Sequence, residues 1–309
     1  MTQAAALAAY GSNSPSNRNR IINGNFLVAQ RGTSFAGVVM SGSDVPYNLD
    51  RWQTNRANVG DTGACTISQV TGGGIRYEVT TADAVLTAGS ATSLRQPIEG
   101  YNCAGLAGNS FTVSFKLKTN KLGTYGVFVY DYTGASYRTP QSITVTSSGT
   151  VESYSLTFPA ISAITIDNAA RLGLNITLAA ASSREGTWYP SGETQVNLFD
   201  TVGNYVEVYD VQLEAGSVAT PFEHRQYGQE LALCQRYYEK LEGYVAATYA
   251  SSGTTGYVTW GFKQTKRATP TISLVGNGTV AGSYLDNAYA YVAPGYVYFS
   301  SGSTASAEL

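Results

Sequence analysis

Charged side chains, histidine and cysteine are all scarce in this sequence of 309 residues. Asp, Glu, Lys and Arg together make up 13% of the chain, whereas about 25% is typical of soluble domains. The formal net charge is -2, and basic residues come together only in short runs around 18–20 and 263–267. Nucleic-acid binding generally requires a basic patch, so the composition argues against a nucleic-acid partner.

Cysteine and histidine are too few for the usual disulfide frameworks, zinc sites and catalytic triads. The cysteines Cys65, Cys103 and Cys234 are odd in number and contain no C-x-x-C pair, which argues against a disulfide framework or a zinc ribbon and fits synthesis in a reducing cytoplasm. The single histidine, His224, is expected to be a surface or interdomain residue rather than the base of a Ser or Cys hydrolase. No sugar-hydrolase motif is recognisable, although a pair of catalytic carboxylates would leave no mark in the sequence. We therefore expect no enzymatic activity, no cofactor and no metal.

Long apolar runs are also missing. The apolar stretch 4–9 is too short to span a bilayer, and it lacks the basic flank and the cleavage pattern of a signal peptide. We expect neither membrane insertion nor a visible export signal.

Glycine, tyrosine and alternating apolar residues are what the chain does contain. It has 33 glycines and 23 tyrosines, and 43% of its residues are hydrophobic. Apolar and polar residues alternate with period two in several short runs separated by turn residues, which is typical of strands with one buried face. Such runs include Phe111, Val113, Phe115 and Leu117, and later Leu172, Leu174, Ile176 and Leu178. The pattern predicts an all-β protein, namely a jelly-roll β-sandwich followed by a short helix and a small C-terminal β module.

Four segments follow from these patterns. Residues 1–20 are expected to be an N-terminal flexible arm or docking peptide, and 21–224 the jelly-roll sandwich. Residues 225–243 are expected to be a connecting helix, with an apolar stripe that packs on its own domain or lines an oligomer axis. Residues 244–309 are expected to form a distal β module. Within the sandwich, the phase of the apolar pattern changes after Val208, which indicates a bulge or a strand buried on both faces.

Two phrases in the chain resemble a known family. They are NRIINGNFLVAQRGTSF with LDRW after it, and VQLEAGSVATPFEHRQYGQELALCQRYYEKL near the predicted helix. Together they resemble bacteriophage tail-fibre and virion-surface fibre proteins. The resemblance implies a virion location, synthesis in the host cytoplasm, and other virion proteins as partners of the arm. The low charge, the helix stripe and the tyrosine-rich distal strands predict self-association, most simply as a homotrimer.

A second similarity concerns the first and last strands of the sandwich. The segments 23–26 and 210–214 are similar to those strands in carbohydrate-binding jelly-roll modules. This implies sugar-binding ancestry without identifying a site, because a fold does not determine a function. Some such modules hold a structural calcium, for which Asp210 or Glu214 would supply oxygen ligands; a hydrogen-bonding role in a turn or bulge is the alternative for Asp210.

Sugar recognition generally combines an aromatic platform with nearby hydrogen-bonding groups. Trp188 and Tyr189 lie in a turn-rich loop and are candidates for such a platform, whereas Trp52 is expected in the core. Alternating tyrosines in the distal module share sheet faces in pairs and are either further ligand-binding residues or packing residues: Tyr289, Tyr291, Tyr296 and Tyr298.

These observations favour a non-enzymatic receptor-binding fibre that attaches a particle to host-surface glycans. The alternative is a structural or decoration fibre of the virion head or baseplate with no receptor role. Adsorption to host cells distinguishes the two hypotheses.

Overall fold

The structure is a computed structural model that describes residues 17–42, 45–57, 60–134, 136–137, 140–250, 255–292 and 295–309, with the backbone alone at 137, 246–250 and 295–296. The chain divides into two compact units, one ending at Arg225 and the other beginning at Gln226. No helix among the described residues is long and apolar enough to cross a membrane.

The described part of the N-terminal unit is built from strands and three short 3-10 helices, at Gly100–Cys103, Ser182–Arg184 and Leu198–Asp200. The strands are β1 (Ser34–Val39), β2 (Gln53–Ala57), β3 (Ala64–Gln69), β4 (Ile75–Thr81), β5 (Ala91–Glu99), β6 (Phe111–Thr119), β7 (Gly123–Asp131), β8 (Ser136–Tyr137), β9 (Gln141–Val145), β10 (Glu152–Phe158), β11 (Ala170–Ala180) and β12 (Tyr205–Ala215).

Two antiparallel sheets form the predicted jelly-roll sandwich. The first sheet has the strand order β1-β3-β4-β12-β6-β10, and the second has β2-β5-β11-β7-β8 with β9 also paired to β7. The alternating residues that predicted the strands supply one continuous core, which includes Val113 and Leu117 from the first sheet and Leu174 and Ile176 from the second. The all-β prediction is confirmed.

The expected bulge lies in β12. Its register against β6 shifts between Tyr209 and Gln212, and Asp210 within this interval has a left-handed φ of 48°. The extra residue re-phases the strand, so that Val208 and Val211 both reach the core.

The two phrases that resemble fibre proteins meet at one corner of the sandwich. Val211 N–H donates to the Gly24 carbonyl at 2.9 Å, and a Cβ at position 24 would lie 2.2 Å from the Val211 carbonyl oxygen. Only glycine allows this approach. Trp52 is fully buried, stacks on Phe26 with ring centroids 4.7 Å apart, and donates from Nε1 to the Asn23 carbonyl at 2.8 Å. The phrases therefore contain the residues that close the sandwich, and Trp52 lies in the core as predicted.

The last residues of the expected arm also contact this corner. The Asn19 side chain is buried, with 4% of its surface exposed, and its Nδ2 donates a hydrogen bond to the Val211 carbonyl at 3.1 Å. Arg20 N–H donates to the Leu213 carbonyl at 2.8 Å. Residues 17–20 are thus joined to the sandwich, whereas residues 1–16 of the arm lie outside the described residues.

The C-terminal unit begins with a helix and continues as short strands. The elements are α1 (Tyr227–Gln235), β13 (Tyr238–Lys240), β14 (Val245–Ala250), β15 (Gly256–Gly261), β16 (Thr271–Ser273), β17 (Gly276–Asn277), β18 (Thr279–Ser283), β19 (Asn287–Val292), β20 (Gly295–Phe299) and β21 (Thr304–Ser306). They pair as three three-stranded sheets, in the orders β13-β21-β16, β14-β20-β17 and β15-β19-β18.

The helix is shorter than the segment 225–243 that the apolar stripe predicts. Leu231 and Cys234 lie on α1, but Tyr238 is already extended and pairs with Ser306 in the sheet. Backbone hydrogen bonding to β21 thus replaces the last turns of the expected helix.

A buried ion pair ties the helix end to the rest of the C-terminal unit. Lys266 and Glu239 side chains are 0% and 1% exposed, with Lys266 Nζ 2.6 Å from Glu239 Oε2. Lys266 Nζ also donates to the Gln235 carbonyl at 2.7 Å, and Glu239 accepts from the Lys263 backbone N–H at 3.0 Å. Because both side chains are buried away from water, each charge is stabilised by the other and by these hydrogen bonds.

Candidate functional site

A cavity of about 260 Å³ lies on the side of the second sheet that faces away from the core. On β11, Leu174 and Ile176 fill the core, and strand alternation turns Asn175 to the opposite face. The lining combines aromatic, amide and guanidinium side chains: Asn55, Ala57, Arg95, Phe128, Tyr130, Tyr132, Asn175 and Trp188. Its volume approaches the lower end of small-molecule sites, about 300 Å³.

Cross-strand register brings the polar lining together. Arg95 on β5 lies opposite Gln53 on β2 and opposite Asn175 on β11. Arg95 Nε donates to Gln53 Oε1 at 2.7 Å, and Arg95 Nη1 donates to Asn55 Oδ1 at 3.4 Å. The guanidinium is therefore held by two amide side chains on the neighbouring strand.

Asn175 is the buried anchor of the same network. Its side chain is 1% exposed, and its Oδ1 accepts from Ser93 Oγ at 3.0 Å and from Asn55 Nδ2 at 3.3 Å. Its Nδ2 donates to the Gly173 carbonyl at 3.0 Å. These bonds fix the orientation of Asn55 before any ligand arrives, which reduces the entropy lost on binding.

Aromatic rings form the other wall. Phe128 packs on Trp188 with centroids 5.2 Å apart, and Tyr130 meets Tyr132 edge-on at 4.9 Å. A Cβ at Gly173 would lie 3.1 Å from the Tyr132 ring, so the glycine lets this ring approach the sheet. Tyr130 and Tyr132 are half-buried, whereas Phe128 is 1% exposed. The two tyrosines thus carry the accessible part of the wall.

Trp188 and Tyr189, predicted as a platform, lie beside this cavity but are buried. They are 2% and 3% exposed and belong to a small cluster with Phe128, on the outer face of the sheet. Burial raises the pKa of Tyr189, with a further contribution from Glu185. Trp188 lines the cavity, and its Nε1 makes no hydrogen bond to any described residue.

The predicted distal tyrosines lie in the C-terminal unit. Tyr289 and Tyr291 share one face of β19, where Tyr291 is 39% exposed and lies 6.3 Å from the ring of Tyr257. Tyr298 on β20 stacks on Tyr244 at 5.1 Å. The side chain of Tyr296 lies outside the described residues. The described lining of the second-sheet cavity consists of residues of the N-terminal unit.

Sequence reasoning missed Arg95, Asn55, Asn175, Tyr130 and Tyr132. The alternation in GVFVYDY indicates part of this set, because Val127 and Val129 belong to the core and Phe128 and Tyr130 must therefore face outward. The polar members carry no local signal, since they meet only through pairing of strands that are distant in sequence.

Other hollows lie on the outer face of the first sheet. Two of them, of about 280 and 440 Å³, share Lys116 and Asp210. These charges pair with each other at 2.7 Å, and the phenol of Tyr154, which lines the smaller hollow, donates to Glu152 at 2.7 Å. The shared charges of these hollows neutralise each other, whereas the second-sheet cavity joins aromatic rings to an arginine whose described partners are uncharged amides. The second-sheet cavity is therefore the stronger candidate despite its smaller volume.

The two carboxylates considered for calcium are engaged in hydrogen bonds. Asp210 accepts from Lys116, and Glu214 Oε2 accepts from Thr220 Oγ1 at 2.7 Å while its Oε1 accepts from Thr220 N–H at 2.8 Å. The described residues contain no group of three or more His, Cys, Asp or Glu placed to hold a metal ion.

We expect the chelator EDTA to leave the melting temperature of the protein unchanged, because Lys116 and Thr220 already supply the partners that a cation would replace. Differential scanning calorimetry with EDTA, and after readdition of calcium, measures the effect. A fall of several degrees that calcium reverses would contradict this expectation.

Comparisons with known proteins give distant structural similarity. No protein-family model and no curated protein matches the chain. A solved CBM4 structure is 13% identical over 63% of this chain and 98% of its own, with a TM-score of 0.33. TmCBM61 in complex with β-1,4-galactotriose is 13% identical over 64% and 99%, with a TM-score of 0.32. The enzymatically active domain of bacteriophage CBA120 tailspike protein 4 is 14% identical over 66% of this chain but 23% of its own, with a TM-score of 0.35. At these identities and scores the likeness carries no argument about what this chain binds.

Proposed function

We propose that the N-terminal unit is a carbohydrate-binding module whose ligand occupies the cavity of the second sheet. The proposal depends on one observation: the rings of Tyr130 and Tyr132 line the same cavity as a hydrogen-bonded polar network. This network consists of Arg95, Asn55 and Asn175. Ring faces bind the apolar C–H faces of a sugar, while amides and a guanidinium bind its hydroxyl groups. A hydrophobic ligand would not use the polar network.

Replacing Tyr130 or Tyr132 with alanine is expected to weaken glycan binding by about tenfold, or about 1.4 kcal/mol, because each ring supplies half of the accessible aromatic wall. The full chain is first screened on a glycan array, and the glycans that bind are then titrated by calorimetry. Tyr101→Ala is the matched control, because Tyr101 is 55% exposed, lies in the same unit and does not line the cavity. If Tyr130→Ala and Tyr132→Ala bind glycan with the affinity of the parent protein, the binding site lies outside this cavity. If no glycan binds, the proposed function is refuted.

The finer proposal is that this module serves a non-enzymatic, trimeric receptor-binding fibre on a bacteriophage particle, attached through residues 1–20. It is supported by the two fibre-like phrases and by exposed apolar side chains in the C-terminal unit, Tyr257, Tyr284, Leu285 and Tyr291. Labelled antibody on purified particles tests the location, and light scattering tests the trimer. Antibody that marks particles without reducing their adsorption to cells would favour the alternative, a decoration fibre.

A further inference from the structure

We infer that the glycan bound in this cavity is acidic and that Arg95 binds its anionic substituent. This inference rests on the proposed function and adds the chemical class of the sugar. A carboxylate and a sulfate share the geometry that a guanidinium recognises, so the inference covers an anionic group of either kind.

The first observation is the partner set of Arg95. Its Nε and Nη1 atoms bond to Gln53 and Asn55, which are both uncharged, and its Nη2 makes no hydrogen bond to a described residue. Two other arginines of the sandwich have carboxylate partners: Arg76 lies 2.9 Å from Glu78, and Arg31 lies 3.7 Å from Asp50. No described carboxylate pairs with Arg95.

The second observation is the environment of this charge. Arg95 is half-buried among Phe128, Tyr130 and Trp188, and the described lining of the cavity contains no acidic residue. A partly desolvated cation interacts more strongly with an anion than a fully hydrated one does, because water screens it less. A neutral sugar would leave this charge without a counter-charge.

The third observation is a second cation at the same wall. The Arg184 guanidinium lies 5.8 Å from the centroid of the Trp188 ring, and its Nε donates to the Gly89 carbonyl at 2.7 Å. Arg184 contacts the Trp188 ring without lining the cavity, and Glu185 follows it in the chain. Among the described lining residues Arg95 alone is charged, so the lining itself favours an anionic ligand although the formal net charge of the chain is -2.

The test compares acidic oligosaccharides with neutral forms of the same backbone. The probes are oligogalacturonate, hyaluronan hexasaccharide and a carrageenan oligosaccharide, each beside its carboxyl-reduced or desulfated form, titrated into the full chain by calorimetry. We expect at least one acidic probe to bind about 10- to 100-fold more tightly than its neutral form, the range that one charge-assisted hydrogen-bonded contact supplies. Arg95→Gln is expected to remove this preference, so that the acidic and the neutral form of each probe bind with equal affinity.

Two variants control for indirect effects. Arg95→Lys retains the charge and is expected to keep part of the acidic preference, while Arg76→Gln removes an arginine from the other sheet and is expected to leave binding unchanged. Melting temperatures establish that each variant is folded. If glycans bind but neutral forms bind as well as acidic ones, or if the preference survives in Arg95→Gln, the inference is overturned and the proposed function stands. If no glycan binds, both are overturned.

Discussion

Replacing Glu239 with alanine is expected to lower the free energy of unfolding of the C-terminal unit by about 3–5 kcal/mol, the usual effect of breaking a buried ion pair from one side. The change leaves the Lys266 ammonium fully enclosed with only carbonyl partners, and it removes the acceptor of the Lys263 N–H. Hydrogen exchange measured by mass spectrometry on peptides from 236–309 reports the stability of this unit separately from that of the sandwich.

Two further variants separate charge from packing. Glu239→Gln keeps an acceptor for Lys263 but not the counter-charge, and is expected to remain strongly destabilised. Adding Lys266→Met to Glu239→Gln removes the buried cation. The double variant is expected to regain most of the lost free energy of unfolding, because an apolar side chain has no charge to desolvate. A double variant as unstable as Glu239→Ala would show that packing, not charge, accounts for the effect.

The pH dependence provides an independent readout of the same charge. Burial lowers the pKa of Lys266 below its usual value, although the hydrogen bond to Glu239 acts in the opposite direction. Between this lowered pKa and the pKa of an unfolded lysine, the unfolded chain binds the extra proton, so the stability contributed by this group rises with pH. Without Glu239, the pKa of Lys266 in the folded protein falls further, because the hydrogen bond that raises it is lost. The deficit of Glu239→Ala is therefore expected to shrink as the pH is raised from about 7 to about 10.

Local alternation was enough to predict the class of fold. Strands such as β6 and β11 turn alternate residues to the core, so residues such as Val113 and Leu174 reveal both the strand and its orientation in the linear sequence. The bulge in β12 was predictable for the same reason, because an inserted residue changes the phase of the pattern after Val208. The end of the helix could not be predicted in this way, because Tyr238 is extended through its pairing with Ser306, which is distant in sequence.

The candidate site was predictable only in part, because its components come from different strands. Trp188 was singled out for its loop and does line the cavity, but the loop folds back and buries it against Phe128. Arg95 and Asn175 carry no motif and become neighbours only when β5 pairs with β11. Register between distant strands depends on the whole sheet, so a single sequence does not reveal which polar residues meet.

Replacing Trp52 with alanine is expected to lower the free energy of unfolding of the sandwich by about 3–5 kcal/mol, as for other large-to-small changes of buried aromatic residues. The change removes the stack on Phe26 and leaves the Asn23 carbonyl without its indole donor. It also weakens a corner where Asn23, Phe26 and Arg51 all have left-handed backbone angles, with φ of 57°, 58° and 71°. Such conformations persist in non-glycine residues only when the surrounding contacts enforce them.

The Trp52 test also decides what the fibre-like phrases do. Trp52→Phe keeps a ring against Phe26 but loses the indole N–H, and is expected to be destabilised less than Trp52→Ala; hydrogen exchange in peptides from 60–134 reports both. Trp52 does not line the cavity, whose residues lie on the outer face of the second sheet. The folded fraction of Trp52→Ala is therefore expected to bind glycan with the affinity of the parent protein. A stable Trp52→Ala protein with weakened glycan binding would contradict this account, because the phrases would then serve recognition and not closure of the sandwich.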